Sequence, residues 1–129
     1  MSKGIIDVVV SDHWPQNVES KECEFEVADF GMNSLENSFS MLTTAATGKL
    51  DDQKIVEIMA LNPRKILNIT APSISEKNPA NLTVFQLDEK WTFDVKKSHS
   101  NSRNTPKHPE FNGKIFAVIN NELVHINTQ

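Results

Sequence analysis

The chain opens on a short apolar run that ends abruptly in polar residues. Residues 5–10 read IIDVVV, which is nearly all β-branched, and Ser11, Asp12 and His13 follow. Such a run is typical of a strand buried on both faces, as in parallel sheets. Pro15 cannot donate a ladder hydrogen bond. The pattern predicts a buried strand over residues 5–10 that carries a carboxylate and an imidazole at its carboxyl end.

The Asp12–His13 pair has two interpretations at this point. In α/β barrels and open α/β sheets the chemistry lies at the carboxyl ends of the strands, which makes Asp12 a candidate catalytic residue. An aspartate after a strand is also a common turn former or helix cap. Spacing alone does not decide between them.

Apolar residues at helical spacing follow. A stripe at i, i+4, i+7 and i+11 predicts a helix over residues 35–46, with Ser34 as its N-cap and Gly48 as its stop. The stripe consists of Leu35, Phe39, Leu42 and Ala46.

A second helix is expected to begin at Asp51 or Asp52. It should end at Asn62, because the residue before a proline is disfavoured in the α region. Pro63 then suits the first position of a third, short helix over residues 64–67.

From residue 82 onward the pattern changes to that of strands. The two asparagines Asn120 and Asn121 stand between the last two runs and suit a tight hairpin. The predicted strand segments are residues 82–85, 91–95, 115–119 and 123–126. The sequence thus predicts an α/β chain in which helices precede an antiparallel unit.

The first strand lacks a counterpart. A strand buried on both faces needs parallel neighbours and covering helices, and no second run of that kind occurs in the sequence. We therefore expect either that the chain docks into another or that it is a piece of something longer.

Composition narrows the function classes. The 129 residues suit one domain of ordinary size. With 17 acidic and 13 basic residues and no basic cluster, nucleic-acid binding is not expected. Cys23 is the only cysteine, which excludes an intrachain disulfide and fits a reducing compartment. No signal-peptide pattern and no membrane-length apolar run occurs, so a cytoplasmic protein without a membrane partner is expected.

Five segments, in order, resemble the dihydroorotases. The first is IDVVVSDHWPQNVESKECEFEVADFGMNSLENSF, which is similar to the family's Asp-His-Ala-Pro-His motif and the Phe-Gly…Leu-Glu-Thr-Ala-Phe pattern after it. The others are LNPRKILNI, NLTVFQLDEKWTFD, SNSRNTP and GKIFAVINNELV. Together they cover nearly the whole chain.

The resemblance implies a fold and a reaction. Dihydroorotases are (β/α)8 barrels of the amidohydrolase superfamily with a small β-sandwich built from both chain ends. They interconvert N-carbamoyl-aspartate and dihydroorotate in pyrimidine biosynthesis, usually with zinc. By this resemblance the chain is a C-terminal portion, with residues 1–70 as the last barrel strand and C-terminal barrel helices and residues 71–129 as the C-terminal part of the sandwich.

The resemblance also implies the site residues. Asp12 matches the metal-ligand aspartate that acts as general base and acid. Phe30 and Gly31 fall where the family's backbone contacts substrate, although Gly31 also fits a turn glycine. Gln16 stands where the family has a substrate-binding histidine, and Trp14 replaces a small alanine.

The family's zinc site needs a His-x-His pair, a carboxylated lysine and further histidines. The chain has no His-x-His pair, and three of its histidines are expected to be exposed or structural: His99, His108 and His125. A catalytic zinc typically takes three protein ligands. We therefore expect no zinc to be bound by this chain alone.

Three hypotheses follow. The chain is the C-terminal portion of a dihydroorotase-like hydrolase that is active only with the rest of its barrel. Alternatively, as Gln16 and Trp14 suggest, it is a non-catalytic dihydroorotase-like subunit that assembles with aspartate transcarbamoylase. In the third, the product is not stably folded alone, and the exposed edge at residues 5–10 is an aggregation liability.

Overall fold

The computed structural model describes residues 4–106 and 110–128. A 3-10 turn at Leu35–Asn37 leads into α1 (Ser38–Ala45), which is followed by α2 (Asp52–Val56), a π turn (Glu57–Leu61) and α3 (Asn62–Ile66). The second half contains β1 (Asn81–Trp91), a 3-10 turn (Val95–Lys97), β2 (Phe111–Asn120) and β3 (Leu123–Ile126). The predicted order, helices and then antiparallel strands, is confirmed.

The three strands form one antiparallel sheet in the order β1-β2-β3. The predicted hairpin joins β2 to β3, with its loop one residue later than expected. Asn120 pairs with Leu123, so Asn121 and Glu122 form the loop. Asn121 has φ +54°, a conformation that asparagine tolerates better than most residues.

The core lies between the helices and the sheet. Phe39 and Leu42 of α1 pack with Ile55 and Ile58, all four of them buried. Phe85 of β1 covers this cluster, and its ring centroid is 4.9 Å from that of Phe39. Phe39 and Leu42 of the predicted apolar stripe therefore lie in this core, whereas Leu35 is 60% exposed.

The first helix is shorter than predicted. Leu35–Asn37 form a 3-10 turn, and the α-helix begins only at Ser38. Ser34 occupies the N-cap position but makes no side-chain cap hydrogen bond. Its hydroxyl donates instead to the Ser11 carbonyl, at 2.7 Å.

The expected helix break before Pro63 is wrong. Asn62 remains in the α region, with φ −65° and ψ −42°, and α3 continues directly from the π turn. The wide turn explains this, because the N–H of Asn62 donates to the Glu57 carbonyl five residues back. Pro63 then lies in the first turn of α3, where a missing N–H is tolerated.

The π turn also provides an attachment point for the start of the chain. Because the Asn62 N–H is directed to Glu57 and Pro63 has no N–H, neither residue donates to the Ile58 carbonyl. That carbonyl accepts the Val9 N–H, at 3.2 Å. The Asn62 side chain donates to the Asp7 carbonyl, at 2.8 Å.

The strand predicted over residues 5–10 is not formed in the described structure. A parallel strand needs a neighbouring ladder, and the sheet of this chain consists of the antiparallel strands β1 to β3. The segment lies on the π turn instead, with Ile5 79% and Val10 74% exposed. Among residues 4–106 and 110–128, no helix combines the length and apolarity that crossing a membrane requires.

Candidate functional site

Asp12 has an unusual backbone conformation. Its φ is +47°, in the left-handed region that non-glycine residues rarely adopt, and its side chain is exposed. Directly after it, His13 forms a parallel bridge with Met32, and the Trp14 N–H donates to the Met32 carbonyl at 3.0 Å. The segment that carries Asp12 is thus paired with residues 32–34.

A second set of bonds joins the same two segments. The His13 Nδ1 atom accepts hydrogen bonds from the backbone N–H groups of Ser34, at 3.2 Å, and Leu35, at 3.1 Å. The Ser34 hydroxyl donates to Ser11, as described above. Ser11 and His13, the two neighbours of Asp12, are both fixed to the start of the first helical turn.

Gly31 is required by close packing against Trp14. Its φ is +108°, and a Cβ at this position would lie 2.4 Å from the Trp14 carbonyl oxygen and 2.8 Å from the Trp14 Cβ. No side chain fits at those distances. The indole itself is 66% exposed and lies beside the facing segment rather than inside the core.

The carbonyls of Phe30 and Gly31 accept hydrogen bonds from the chain itself. The Gln16 side-chain amide donates to the Phe30 carbonyl at 3.1 Å. The Lys21 ammonium donates to the Gly31 carbonyl at 3.1 Å, and the Asn104 amide donates to the same carbonyl at 2.8 Å. Gln16 is therefore used, in this conformation, to hold the loop.

Lys21 and Asn104 contact the candidate site, and the sequence analysis did not predict either contact. Lys21 also donates to the Asp29 carbonyl, so it bridges two carbonyls of one loop. A signal for Lys21 was present, since it is the only basic residue in the acidic stretch 19–26. Asn104 had no local signal, because its partner is 73 residues away in sequence.

A polar loop over residues 98–104 is hydrogen-bonded to the residues that follow Gly31. The Asn33 N–H donates to the Asn104 carbonyl at 2.7 Å, and the Asn33 amide donates to the Ser102 carbonyl at 3.2 Å. The Ser98 hydroxyl donates to the Glu36 carboxylate at 2.6 Å. The SNSRNTP segment is thus hydrogen-bonded to residues that directly follow the site.

The structure places the predicted site residues on two facing segments. Asp12 and Gln16 lie on one and Phe30 and Gly31 on the other, with the Gln16–Phe30 bond between them. The Phe30 side chain is 94% exposed. These residues do not line the cleft of about 490 Å³ between the helices and β1, whose walls include Phe39, Met59, Arg64 and Leu82.

The side chains present do not fit a zinc site. Within residues 4–106 and 110–128, no three His, Cys, Asp or Glu side chains lie close enough together to hold a metal ion. His99 and His125 are exposed and contact each other edge-on, with ring centroids 5.9 Å apart. His108 lies outside the described residues. Asp12 alone is an incomplete ligand set.

Comparison with known proteins identifies the lineage. No family model matches the chain. It is 32% identical over 128 residues to the dihydroorotase of Acetivibrio thermocellus, covering 96% of this chain and 30% of that protein. It is 35% identical over 107 residues to the dihydroorotase of Caldicellulosiruptor saccharolyticus, covering 81% of this chain and 25% of that protein. It is 28% identical over 128 residues to that of Anaeromyxobacter dehalogenans, covering 97% and 30%.

The chain is therefore related to the dihydroorotases, and the resemblance seen in its motifs is confirmed. It spans less than a third of the length of the relatives it matches. That coverage is consistent with a C-terminal portion.

Proposed function

We propose that this chain is the C-terminal portion of a dihydroorotase-like cyclic amidohydrolase of cytoplasmic pyrimidine biosynthesis. Residues 1–70 would supply the last strand of a (β/α)8 barrel and the helices after it, and residues 71–129 the C-terminal part of the β-sandwich. The similarity to dihydroorotases over nearly the whole chain supports this assignment.

One observation carries the proposal. Residues 5–10 have the composition of a strand buried on both faces, yet Ile5 and Val10 are largely exposed. The same segment ends in Asp12, whose neighbours are fixed by hydrogen bonds while its own side chain is exposed. A carboxylate held in this way, at the end of an apolar segment without sheet partners, suits a site completed by further strands.

The roles proposed for these residues are those that the resemblance to dihydroorotases implies. The Asp12 carboxylate would accept a proton from the attacking water and return it to the ring nitrogen that leaves as dihydroorotate opens. Gln16 would offer an uncharged amide donor to the substrate, and the backbone of Phe30 and Gly31 would line the site. Zinc, which the described residues do not hold, would need its remaining ligands from elsewhere, with Asp12 contributing one.

The test is an assay of the protein in the form that its cell makes. We would tag the C-terminus at the genomic locus, purify the product, measure its mass and assay conversion of dihydroorotate. Asp12→Ala is expected to lower kcat by roughly 10²–10⁴-fold, the range of general acid–base catalysis. The matched control is Asp88→Ala, an exposed carboxylate on β1.

The outcomes separate cleanly. A product longer than this chain that hydrolyses dihydroorotate, and loses that activity with Asp12→Ala alone, supports the proposal. Normal turnover in the Asp12→Ala protein contradicts it. A product that does not hydrolyse dihydroorotate favours the second candidate function, a non-catalytic subunit.

The second candidate is a non-catalytic dihydroorotase-like subunit that assembles with aspartate transcarbamoylase. Gln16 favours this candidate, because it stands where the family has a histidine. Its side-chain amide donates to the Phe30 carbonyl of the same chain. The tagged product would then co-purify with aspartate transcarbamoylase without hydrolysing dihydroorotate. Recovery of hydrolase activity by Gln16→His alone would argue against a purely structural role.

A further inference from the structure

The His13 imidazole performs the task of a helix N-cap. The first N–H groups of a helix have no partner within the helix and need an outside acceptor. Ser34, at the N-cap position, makes no side-chain cap bond. The acceptor is instead the Nδ1 atom of His13, which takes the N–H groups of Ser34 and Leu35, the latter from 22 residues away in sequence.

This arrangement determines the tautomer of the neutral His13 ring. A neutral imidazole has one nitrogen that donates and one that accepts. Because Nδ1 accepts two N–H groups, the proton of the neutral ring must be on Nε2. The ring nitrogen nearer the backbone is therefore already used within the chain.

We propose that His13 is a positioning residue, which holds Asp12 in its left-handed conformation by capping the first turn of the helix that follows the site. The catalytic meaning of this inference rests on the proposed function, but the contact itself does not. Asp12 lies between two attachment points on the same turn, the Ser11 carbonyl, bonded to the Ser34 hydroxyl, and the His13 ring.

The geometry explains why both attachments are needed. A φ of +47° is rarely adopted by a non-glycine residue unless its surroundings fix it. The His13–Met32 bridge fixes the backbone only after Asp12, and the Ser34–Ser11 bond fixes it before. The cap connects the two, since Ser34 contributes its N–H to His13 and its hydroxyl to Ser11. The backbone on both sides of Asp12 is therefore attached to the first helical turn.

The test uses nuclear magnetic resonance on the full 129-residue chain. Long-range ¹⁵N spectra of the wild-type protein report which ring nitrogen carries the proton. Amide exchange of Ser34 and Leu35 reports the cap, and the three-bond amide–Hα coupling of Asp12 reports its φ angle. The variants are His13→Ala, His13→Asn, whose side-chain oxygen can replace Nδ1, and His13→Gln, whose oxygen lies one bond farther out.

The expected result is specific to these atoms. His13→Ala should accelerate exchange of the Ser34 and Leu35 amides by about fivefold, the equivalent of one lost cap, and should change the Asp12 coupling. His13→Asn should restore both values, and His13→Gln should not. The matched control is Asp51→Ala, which removes the side-chain cap of α2 (Asp51 Oδ1 to Lys54 N, 2.8 Å) and should leave the Asp12 coupling unchanged.

Two results would overturn the inference. One is a proton on Nδ1 in the wild-type ring, which can be read even if every variant fails to fold. The other is an Asp12 coupling that changes as much in Asp51→Ala as in His13→Ala, since that would indicate general loosening. These readouts need no turnover, so a hydrolytically silent protein would defeat the proposed function and leave the positioning role intact.

Discussion

The two parts of the molecule are stabilised in different ways. The helices and the sheet enclose a core of their own, in which Ile58 has no exposed surface. In residues 4–32 no residue is buried, although Val9 packs against that core, and hydrogen bonds connect the segment to residues that follow it. The candidate site residues in the first segment are therefore positioned by contacts to the helices and the sheet, which have a core of their own.

The largest effect is expected from a core truncation. Ile58→Ala should lower the free energy of unfolding by about 2–5 kcal/mol, because it removes buried methyl groups and leaves a cavity. Val10→Ala, at a 74% exposed position of the first segment, should change it by less than about 0.5 kcal/mol. Urea denaturation of both variants measures this. A comparable loss in Val10→Ala would indicate that residues 5–10 are enclosed in solution by another chain.

The next largest effect is expected at Gly31. Gly31→Ala should destabilise the protein by roughly 1–3 kcal/mol, since it combines a strained positive φ with a Cβ pressed against Trp14. Gly48→Ala is the matched control, because Gly48 has φ +69° but nothing within 4 Å of the added Cβ. In thermal unfolding, the melting temperature of Gly31→Ala should be well below that of Gly48→Ala. Equal melting temperatures would show that the packing of Trp14 on Gly31 is not maintained.

A smaller and local effect is expected at Asn62. Asn62→Ala removes the hydrogen bond to the Asp7 carbonyl, which is worth about 0.5–1.5 kcal/mol. Amide exchange should accelerate at Val9, whose N–H is bonded to Ile58, while amides of β2 keep their protection. Exchange that rises equally in both places would mean that the two parts unfold as one unit.

The smallest effect is a pH dependence at Glu57. Hydrogen bonds from Lys54 and then Asn62 hold the pKa of this carboxyl below its usual range. A lowered pKa stabilises the fold above the unfolded-state pKa of the carboxyl, and that contribution disappears as the pH falls through the folded-state value. Melting temperatures of wild type and Glu57→Gln should therefore differ slightly near neutral pH and converge in acid. A difference that grows in acid would contradict the assignment.

The helix–sheet body was largely predictable from the sequence because its signals are local. Phe39 and Leu42 of the α1 stripe, the Asp51 cap and the strands at residues 82–85, 115–119 and 123–126 each depend on neighbouring residues, and the structure confirms them. The strand predicted over residues 91–95 is wrong, because β1 ends at Trp91 and Val95 begins a 3-10 turn. The predicted alternation of Leu82 and Val84 is also wrong, because a register shift after Val84 brings Phe85 to the core instead. The helix break at Asn62 failed because the rule for residues before proline does not anticipate a π turn. The strand at residues 5–10 is not formed because a strand needs partners, and residues 4–106 and 110–128 provide none beside it.

The site was predictable only in part. The resemblance predicts Asp12, Gln16, Phe30 and Gly31 as site residues, and the structure shows that they lie on two facing segments, while their roles stay a prediction. Their hydrogen-bond partners were not predictable, because contacts such as Asn104 to Gly31 join residues far apart in sequence. Those partners depend on how the loops fold back, which no spacing rule encodes.

The π turn behaves as a one-residue insertion in an otherwise ordinary helix. Each residue of an α-helix advances the side-chain direction by roughly 100°. Converting Glu57–Leu61 to regular α-helix without removing a residue would therefore rotate α3 by about that angle, and Arg64 would no longer face the cleft whose wall it forms. The inserted residue thus determines which side chains of α3 face the cleft. A redesign that replaces the π turn with regular helix would need new residues on the face of α3 that then lines the cleft.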